Sequence, residues 1–440
     1  MSQEQYLQEL LRFLEASPTA FHATATVQGI LAEHGFTRLF EPDDWGELGP
    51  GSYYVSRNDS SLIAFVLEHG AAGCRSLRMA GAHTDSPGFR VKPHALHSAG
   101  GYVQLGVEVY GGAMLSTWFD RDCSLAGRVV WQDGEGRAQA GLVDFQRPLV
   151  VMPSLAVHLD PEARGRHAIN RQTDLAPILM LGEEPDFATL LLEQLARQRG
   201  AARGQVASGE VLAFDLFLYD AQPPDQIGLN GEFVCSARLD NLLSCHALAR
   251  ALAGAATRDS LIVLNDHEEV GSATVAGAGG TFLQDVLARL FPPAQMRRIL
   301  AASLFVSADN AHALHPNFMA SYEPEHSPRM QAGPVIKTNA GQRYATSAAT
   351  AAQFVLLCRR AGVPCQDFVM RNDMSCGSTI GPLVASGLGV PVVDVGVAQL
   401  AMHSVREMAA WRDGASFLQA MQAFFGADEA LLRAPLVGGV

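Results

Sequence analysis

Short apolar runs that end in polar residues recur along the chain, and they predict the strands of a sheet. The clearest run, Leu261–Leu264, leads directly into the polar segment Asn265-Asp266-His267-Glu268-Glu269. Similar runs lie at Ser61–Leu67, Leu77–Ala82, Ser303–Ala308, Pro334–Thr338, Asp367–Met370 and Pro391–Gly396. Helical periodicity marks other segments, among them Gln3–Gly35 and Ser347–Arg359. This mixture of patterns predicts an α/β fold.

The middle of the chain has a different pattern. Alternating apolar and polar residues predict strands at Tyr102–Tyr110, Arg128–Gln132, Leu142–Met152 and Val211–Tyr219. No acid-rich strand end occurs there, whereas both flanking parts have them. We therefore expect a β-rich domain at 93–231, inserted between two parts of one α/β domain at 1–92 and 232–440.

Length and charge limit the classes of function. A chain of 440 residues exceeds the size at which one core keeps growing, so two domains are expected. The net charge of -13 disfavours a nucleic-acid partner, because phosphate binding needs clustered basic residues. The sequence has no signal-peptide pattern and no apolar run of membrane-spanning length. We expect a cytoplasmic protein with reduced thiols, since its 7 cysteines form no C-x-x-C pair.

The two adjacent acids after the Leu261–Leu264 run have the character of a catalytic site. Neighbouring side chains on extended backbone point in opposite directions, so Glu268 and Glu269 can have different roles in one pocket. One can bind a metal ion while the other transfers a proton. The alternative is a charged turn in which acids favour the positive start of a helix.

Other polar residues follow predicted strands or begin predicted helices. His83 and Asp85 are two residues apart, a spacing that lets Asp85 accept a hydrogen bond from one imidazole nitrogen while the other faces a metal ion. Asp240 precedes an apolar helix, where a capping role is the alternative. Asp309 follows the Ser303–Ala308 run, and His403 follows the last predicted strand.

Five of these residues form a plausible ligand set for metal ions, namely His83, Asp240, Glu269, Asp309 and His403. Two imidazoles and three carboxylates suit divalent ions, and a shared carboxylate can hold two ions about 3.5–4 Å apart. Zinc is the first choice. A carboxylate-rich site discriminates poorly, so Mn²⁺ and Co²⁺ remain alternatives.

The chain resembles the aspartyl aminopeptidases, a family of co-catalytic dizinc exopeptidases. The resemblance covers nearly the whole chain and rests on six ordered motifs: Ala82-His83-Thr84-Asp85-Ser86-Pro87, Arg238-Leu239-Asp240-Asn241, Asp266-His267-Glu268-Glu269-Val270-Gly271-Ser272, Ser307-Ala308-Asp309, Arg371-Asn372-Asp373 and Met402-His403-Ser404. It implies a mixed-sheet α/β/α catalytic domain with an inserted dimerisation domain. It also implies a homo-oligomer built from dimers, with a dodecamer suggested.

The resemblance assigns roles within the metal site. It implies that Asp240 bridges two metal ions per chain and that His83 and Asp309 complete the coordination of one. Glu269 and His403 would complete the other, Asp85 would orient His83, and Glu268 would be the general base.

The resemblance also identifies three candidates for contact with the substrate. Lys337 matches a lysine that holds a substrate carboxylate, so the implied substrates are peptides with N-terminal Asp or Glu. His158 matches a histidine that reaches the active site of a neighbouring subunit. Tyr344 is a weaker candidate for contact with the substrate or the tetrahedral oxyanion.

Several alternatives share parts of this pattern. The same site could serve a broad-specificity aminopeptidase or an N-acyl amino-acid deacylase, and a non-catalytic assembly protein could retain the fold. Other motifs fail on inspection. Gly271 replaces the second histidine of H-E-x-x-H, Cys376-Gly377-Ser378-Thr379-Ile380 is not a G-x-S-x-G elbow, and Gly277-Ala278-Gly279-Gly280-Thr281-Phe282 is not a phosphate loop.

Overall fold

The structure is a computed structural model that describes residues 2–159, 168–200 and 209–432. Contacts within the chain divide it into two compact units. The first unit contains the residues up to Asp85, Asp225–Met402 and the residues from Glu407 onward. The second unit contains Ser86–Pro224 together with the short segment His403–Arg406.

The strands, in chain order, are β1 (Thr37–Arg38), β2 (Gly51–Arg57), β3 (Ser61–Leu67), β4 (Arg78–His83), β5 (Gly88–Ala99), β6 (Tyr102–Tyr110), β7 (Cys123–Gln132), β8 (Ala138–Asp144), β9 (Ile178–Leu181), β10 (Glu210–Asp220), β11 (Asp225–Ile227), β12 (Phe233–Ser236), β13 (Ser260–Asn265), β14 (Leu304–Ala308), β15 (Ala311–His312), β16 (Val335–Thr338), β17 (Gln366–Val369), β18 (Val392–Gly396), β19 (Ala398–Leu400) and β20 (Glu407–Ala410).

The α-helices are α1 (Gln3–Glu15), α2 (Ala20–Glu33), α3 (Gly70–Gly73), α4 (Phe187–Gln198), α5 (Leu239–Ala255), α6 (Phe282–Leu290), α7 (Pro293–Ala301), α8 (Ala348–Ala361), α9 (Ile380–Leu388), α10 (Trp411–Phe425) and α11 (Glu429–Leu432). No helix within the described residues combines the length and the apolar character needed to cross a membrane.

The first unit is built on a sheet of nine strands in the order β1-β2-β3-β13-β4-β14-β18-β16-β17. Its centre is parallel, because β4 pairs in parallel with both β13 and β14, and β14 pairs in parallel with β18. Antiparallel pairs, such as β13 with β3 and β16 with β18, make the sheet mixed. A second sheet in this unit has the order β11-β12-β20-β19-β15.

Alternate residues of the central strands face opposite sides of the large sheet. Ile262 and Leu264 of β13 pack in one apolar core with α1, α2, α5, α8 and α10. Leu261 and Val263 of the same strand pack in another core with α6, α7 and α9. Because β13 is buried on both faces, its sequence is apolar throughout. The predicted mixed-sheet α/β/α architecture is confirmed.

The second unit contains an antiparallel sheet of six strands in the order β8-β7-β10-β5-β6-β9. Helix α4 packs on this sheet through Leu191, Leu192 and Leu195, which are buried with residues such as Trp131 and Leu216. Strand content therefore dominates this unit, as the alternating pattern of the sequence predicts.

Some local boundaries differ from the prediction. The second unit begins at Ser86 rather than 93, because β5 starts at Gly88 and pairs with β6 from its first residue. It ends at Pro224 rather than 231, because β11 pairs with β12 of the first unit. The strand predicted at Leu142–Met152 is interrupted after Asp144, where Gln146 has a φ of 52°. Isolated β-bridges resume at Val150, Val151 and Met152.

Candidate metal centre

Three adjacent strands of the large sheet bring candidate residues to one edge. Strand β4 lies between β13 and β14, and the register places His83 beside Asn265 and Gly81 beside Ser307. Glu268 and Glu269 follow β13, Asp309 follows β14, and His83 ends β4. The carboxyl ends of parallel strands are the usual place for ligands in α/β sheets, so this edge is the candidate site.

The surroundings of His83 orient its imidazole ring. The ring is buried, and its Nδ1 donates to the backbone carbonyl of Asp85 at 3.0 Å. Its Nε2 lies 3.5 Å from Oδ1 of Asp240 and 3.6 Å from Oδ1 of Asp309. When the imidazole is neutral with its proton on Nδ1, the lone pair is on Nε2, which is the tautomer needed by a metal ligand.

The carboxylate of Asp85 has a contact that the sequence did not predict. Its two oxygens accept the backbone N–H groups of Glu268 and Glu269, each at 3.1 Å, while its distance to Nδ1 of His83 is 3.4 Å. The nearer acceptor for the imidazole is thus the Asp85 backbone carbonyl. The buried carboxylate also holds the short 3-10 helix Glu268–Val270 in place.

Asp240 enters the site from the irregular first turn of α5. Asp240 and Asn241 depart from helical geometry, and the peptide bond between them is cis. The backbone N–H of Asp240 donates to Oε2 of the buried Glu407 at 2.9 Å. The amide of Asn241 donates to the carbonyl of Ala308 at 2.7 Å, which ties this turn to the strand that precedes Asp309.

The donor atoms fit a divalent cation. One oxygen or nitrogen from each of His83, Asp240 and Asp309 lies within 4.8 Å of the others, and His83 forms a second such group with Glu268 and Glu269. These five side chains of the first unit supply one imidazole and four carboxylates. A divalent ion prefers such donors, and its positive charge offsets the repulsion among the acids.

Repulsion among the acids contributes to a raised pKa of Glu268. Burial raises the pKa of Glu268 to about 8; His83 opposes the shift, and the negative charges of Asp309, Glu269 and Asp85 add to it. A carboxyl group with a pKa near neutrality is suited to general acid–base catalysis, because it can both take and release a proton.

Neighbouring carboxylates also raise the pKa of His83, because they favour its protonated, positively charged form. Burial lowers the pKa of its imidazole, but hydrogen bonds to Asp240, Asp309 and Asp85 raise it well above the usual value. Metal binding requires the neutral imidazole, so an ion that binds here replaces a proton as the positive partner of the carboxylates.

Lys337 lies beside this cluster in β16, which is separated from β14 by β18. The chain has only two lysines, Lys92 and Lys337, among 32 lysine and arginine residues, and Lys337 is 2% exposed. Its Nζ donates to Oδ2 of Asp309 at 3.1 Å and to the carbonyl of Asn310 at 3.3 Å. The Tyr344 ring centroid lies 5.1 Å from the same ammonium, within the range of a cation–π contact.

The ammonium also affects the acidity of Asp309. Burial alone would raise the pKa of that carboxyl, but the charges and hydrogen bonds of Lys337 and His83 outweigh burial and hold the pKa well below its usual range. Asp309 is therefore ionised at any physiological pH, as a metal ligand must be.

Two predicted residues belong to the second unit. His403 begins the segment His403–Arg406, and its Nδ1 lies 3.2 Å from the carbonyl of Gly112. His158 is exposed in a turn at residues 157–159. Their relation to the cluster of the first unit stays a prediction.

Comparison with known sequences identifies the family. The sequence profile of the Aminopeptidase I zinc metalloprotease family, M18, matches residues 13–425. The chain belongs to the M18 family. It is therefore a metallopeptidase of the aminopeptidase class that uses a divalent metal, and the predicted family resemblance is confirmed at this level.

Relatives in this M18 family match along nearly the whole chain. A probable M18 family aminopeptidase 2 of Stutzerimonas stutzeri is 49% identical over 427 residues, covering 96% of this chain and 98% of that protein. The Azotobacter vinelandii protein of the same name is 49% identical over 423 residues, covering 95% and 97%.

Solved structures of M18 proteins have the same fold. A chain in the cryo-EM structure of the Ape4 and Nbr1 complex matches with a TM-score of 0.92 and 37% identity, covering 96% of this chain and 86% of that one. A Saccharomyces cerevisiae mApe1 dodecamer matches with a TM-score of 0.84 and 27% identity, covering 98% of each chain.

The sequence analysis missed several polar residues that support the M18 site. Glu407 and Asn241 fix the turn that carries Asp240, although the sequence assigned neither a role. Asn310 donates to the carbonyl of Leu239 and to Oε1 of Gln399, each at 2.8 Å. A local signal exists for Asn241 and Asn310, because each directly follows a candidate ligand, but Glu407 is too distant in sequence from Asp240 to leave one.

Proposed function

We propose that this M18 peptidase removes N-terminal Asp or Glu from peptides, with two divalent ions at its site and Glu268 as the general base. The observation that carries the substrate class is Lys337, a buried ammonium 3.1 Å from the candidate ligand Asp309. A cation enclosed at that distance from the reacting centre favours a substrate side chain that ends in a carboxylate.

The proposed ligands divide into two groups that share Asp240. His83 and Asp309 complete the coordination of one ion, which their converging atoms support. Glu269 and His403 complete the other. His403 is next in the chain to Met402, the last residue of that segment of the first unit. Zinc is the proposed metal, as in the description of the family, with Mn²⁺ or Co²⁺ as substitutes.

When bound, the ions would lower the pKa of water at the site toward about 7 and polarise the scissile carbonyl. Glu268 lies beside the proposed ligands His83 and Glu269, and its pKa of about 8 suits proton transfer. It takes the proton from the attacking water and then gives it to the leaving amine. Asp85 positions Glu268 through the backbone N–H. The products are an amino acid and a shortened peptide.

Lys337 and Tyr344 are the proposed recognition residues. The Lys337 ammonium pairs with the substrate carboxylate, and a neutral side chain would leave part of that buried charge without a partner. Tyr344 is 4% exposed and stacks beside the ammonium, so it limits the positions that Lys337 can take.

We propose further that the protein is cytoplasmic and works as an oligomer of dimers, possessing the dodecameric form named for the mApe1 structure. The insert, predicted at 93–231, would form the dimer contact. His158 lies in that insert and is exposed, as a residue that serves a neighbouring subunit must be.

Elemental analysis combined with a substrate panel tests this function. We expect close to two divalent ions per chain and preferential hydrolysis of Asp- and Glu-anilides over Leu- and Lys-anilides. Equal hydrolysis of the Leu substrate would instead identify a broad aminopeptidase, and cleavage of N-acetyl amino acids a deacylase. A chain that retains no metal after addition of zinc and cleaves nothing would be an assembly protein.

A further inference from the structure

Asp394 is a buried acid near the proposed pocket that the reaction does not use. It lies in β18 and is fully buried. Strands β18 and β16 are antiparallel, and Ile336 lies beside Val395. The next pair along the two strands is therefore Lys337 of β16 and Asp394 of β18. A carboxylate in such a place is costly unless its oxygens are satisfied, which makes its hydrogen bonds informative.

One set of bonds holds the segment that carries Tyr344. Oδ2 of Asp394 accepts the backbone N–H of Ala345 at 2.6 Å, and the backbone N–H of Asp394 donates to Oγ1 of Thr346 at 2.8 Å. Both partners are within two residues of Tyr344, whose ring lies beside the Lys337 ammonium. Asp394 therefore anchors this segment at two points.

The other carboxylate oxygen holds a second segment. Oδ1 of Asp394 accepts the hydroxyl of Thr379 at 2.5 Å, and the same hydroxyl accepts the backbone N–H of Gly381 at 3.2 Å. Thr379 is the N-cap of α9. The approach is so close that a Cβ on Gly381 would lie 2.4 Å from Oδ1, so only glycine fits there.

The two segments meet again at the pocket. Cys376, which lies three residues before Thr379, packs against the small apolar cluster that contains Tyr344. One buried carboxylate thus fixes two pieces of chain that are distant in sequence and that meet at Tyr344, whose ring lies beside Lys337.

We propose that Asp394 is a positioning residue of the acidic-side-chain pocket, which it shapes by holding Tyr344 through Ala345 and the start of α9 through Thr379. This inference rests on the proposed preference for Asp and Glu. An ammonium distinguishes a carboxylate from an amide only when its surroundings fix both its position and that of the ligand, and Asp394 supplies that rigidity.

The test compares two substrates that differ in side-chain charge and variants that differ in the hydrogen bond between Asp394 and Thr379. Glu- and Gln-anilides are nearly isosteric and differ in charge. Asp394→Asn removes one acceptor of the anchor, Thr379→Val removes the hydroxyl with little change of shape, and Thr379→Ser retains it. Asp413→Asn is the matched control, since Asp413 is a buried carboxylate that accepts two backbone N–H groups, from Gln331 and Gly333.

We expect Asp394→Asn and Thr379→Val to lower the Glu-to-Gln ratio of kcat/KM by about tenfold. The loss should be chiefly a raised KM for the Glu substrate, with metal content unchanged. Thr379→Ser and Asp413→Asn should keep the wild-type ratio even where Asp413→Asn lowers the melting temperature.

An unchanged ratio in folded Thr379→Val would overturn the inference, as would an equal loss on both substrates or the same loss in Asp413→Asn. Thr379→Val decides the matter if Asp394→Asn fails to fold. A wild-type enzyme with no preference for Glu over Gln would overturn the proposed specificity and this inference together, whereas a preference that survives every variant would overturn only the role of Asp394.

Discussion

The ammonium of Lys337 lies 3.1 Å from Oδ2 of Asp309, whose Oδ1 is 3.6 Å from Nε2 of His83. One carboxylate is therefore shared between the proposed recognition residue and the proposed metal ligands. Binding of an acidic substrate at Lys337 and the electrostatics of the metal site are coupled through Asp309, because each competes for the same negative charge.

Lys337→Met should remove the preference for acidic substrates. The variant retains the length of the side chain and loses the charge, so we expect the Glu-to-Gln ratio of kcat/KM to fall by roughly a hundredfold, the range in which an unpaired buried charge discriminates substrates. Steady-state kinetics with the two anilides measures it. Lys92→Met replaces the other lysine of the chain and should behave as the wild type. Equal loss on both substrates would refute the assignment.

Glu268→Gln should abolish turnover and retain the metal. The amide is isosteric with the carboxyl but cannot accept the proton from water, so we expect kcat to fall by at least about a thousandfold. Metal content by elemental analysis should equal that of the wild type, since Glu268 is the acid left outside the proposed ligand set. Glu268→Asp retains the acid on a shorter stem and should recover part of the rate. Turnover near the wild-type level in Glu268→Gln would exclude Glu268 as the base.

Asp85→Asn should weaken metal binding and catalysis together. The carboxylate accepts two backbone N–H groups, and an amide can accept only one of them while presenting a donor to the other. We expect a loss of about 10–100-fold in metal affinity or kcat, typical for groups that orient metal ligands. Competition with a chelator measures the affinity. If Asp85 oriented His83 alone, activity at saturating zinc would return to the wild-type level.

Asp413 should make stability depend on pH. Burial raises the pKa of its carboxyl to about 6, although the N–H groups of Gly333 and Gln331 lower it. The unfolded chain ionises near 3.9, so between about pH 4 and pH 6 the folded state binds more protons and stability falls as the pH rises. Relative to Asp413→Asn, the wild type should lose roughly 2–3 kcal/mol across this window and change little above it. Melting curves of the wild type and Asp413→Asn at pH 4.5, 6 and 7.5 measure the difference in stability. The same difference at all three pH values would refute the raised pKa of Asp413.

His158 should act in a neighbouring subunit. His158→Ala and Glu268→Gln should each be nearly inactive alone, but a mixed dimer contains one site with an intact Glu268 and an intact His158. Co-expression of the two variants should therefore restore up to about a quarter of the activity, as random pairing allows. Mixtures that stay inactive, or a His158→Ala variant with full activity, would place His158 outside the site.

The sequence predicts the sheet edge well because the signal is local. An apolar strand followed at once by an acid or a histidine is visible within ten residues, as at His83, Glu268 and Asp309, and pairing in parallel brings those ends together. Hydrogen bonds across long separations leave no such signal. Glu407 meets Asp240, and Asp394 meets Ala345 and Thr379, only because the sheet order places their strands there.

The contact of Asp85 shows the same limit at short range. Its spacing from His83 predicts a contact between the two side chains, but the carboxylate lies closer to the backbone N–H of Glu268, at 3.1 Å, than to Nδ1 of His83, at 3.4 Å. Local spacing identifies His83 as a partner, whereas the second partner follows the neighbouring strand β13 and leaves no local signal.

The position of β4 between β13 and β14 has a consequence for biogenesis. His83 of the proposed site is translated early, whereas Asp309 is added only after β14 has left the ribosome. A nascent polypeptide that stops short of β14 lacks Asp309 and, further along, His403. With the proposed ligands, the metal site would therefore be complete only late in synthesis, and bound metal would report that β14 has joined the sheet.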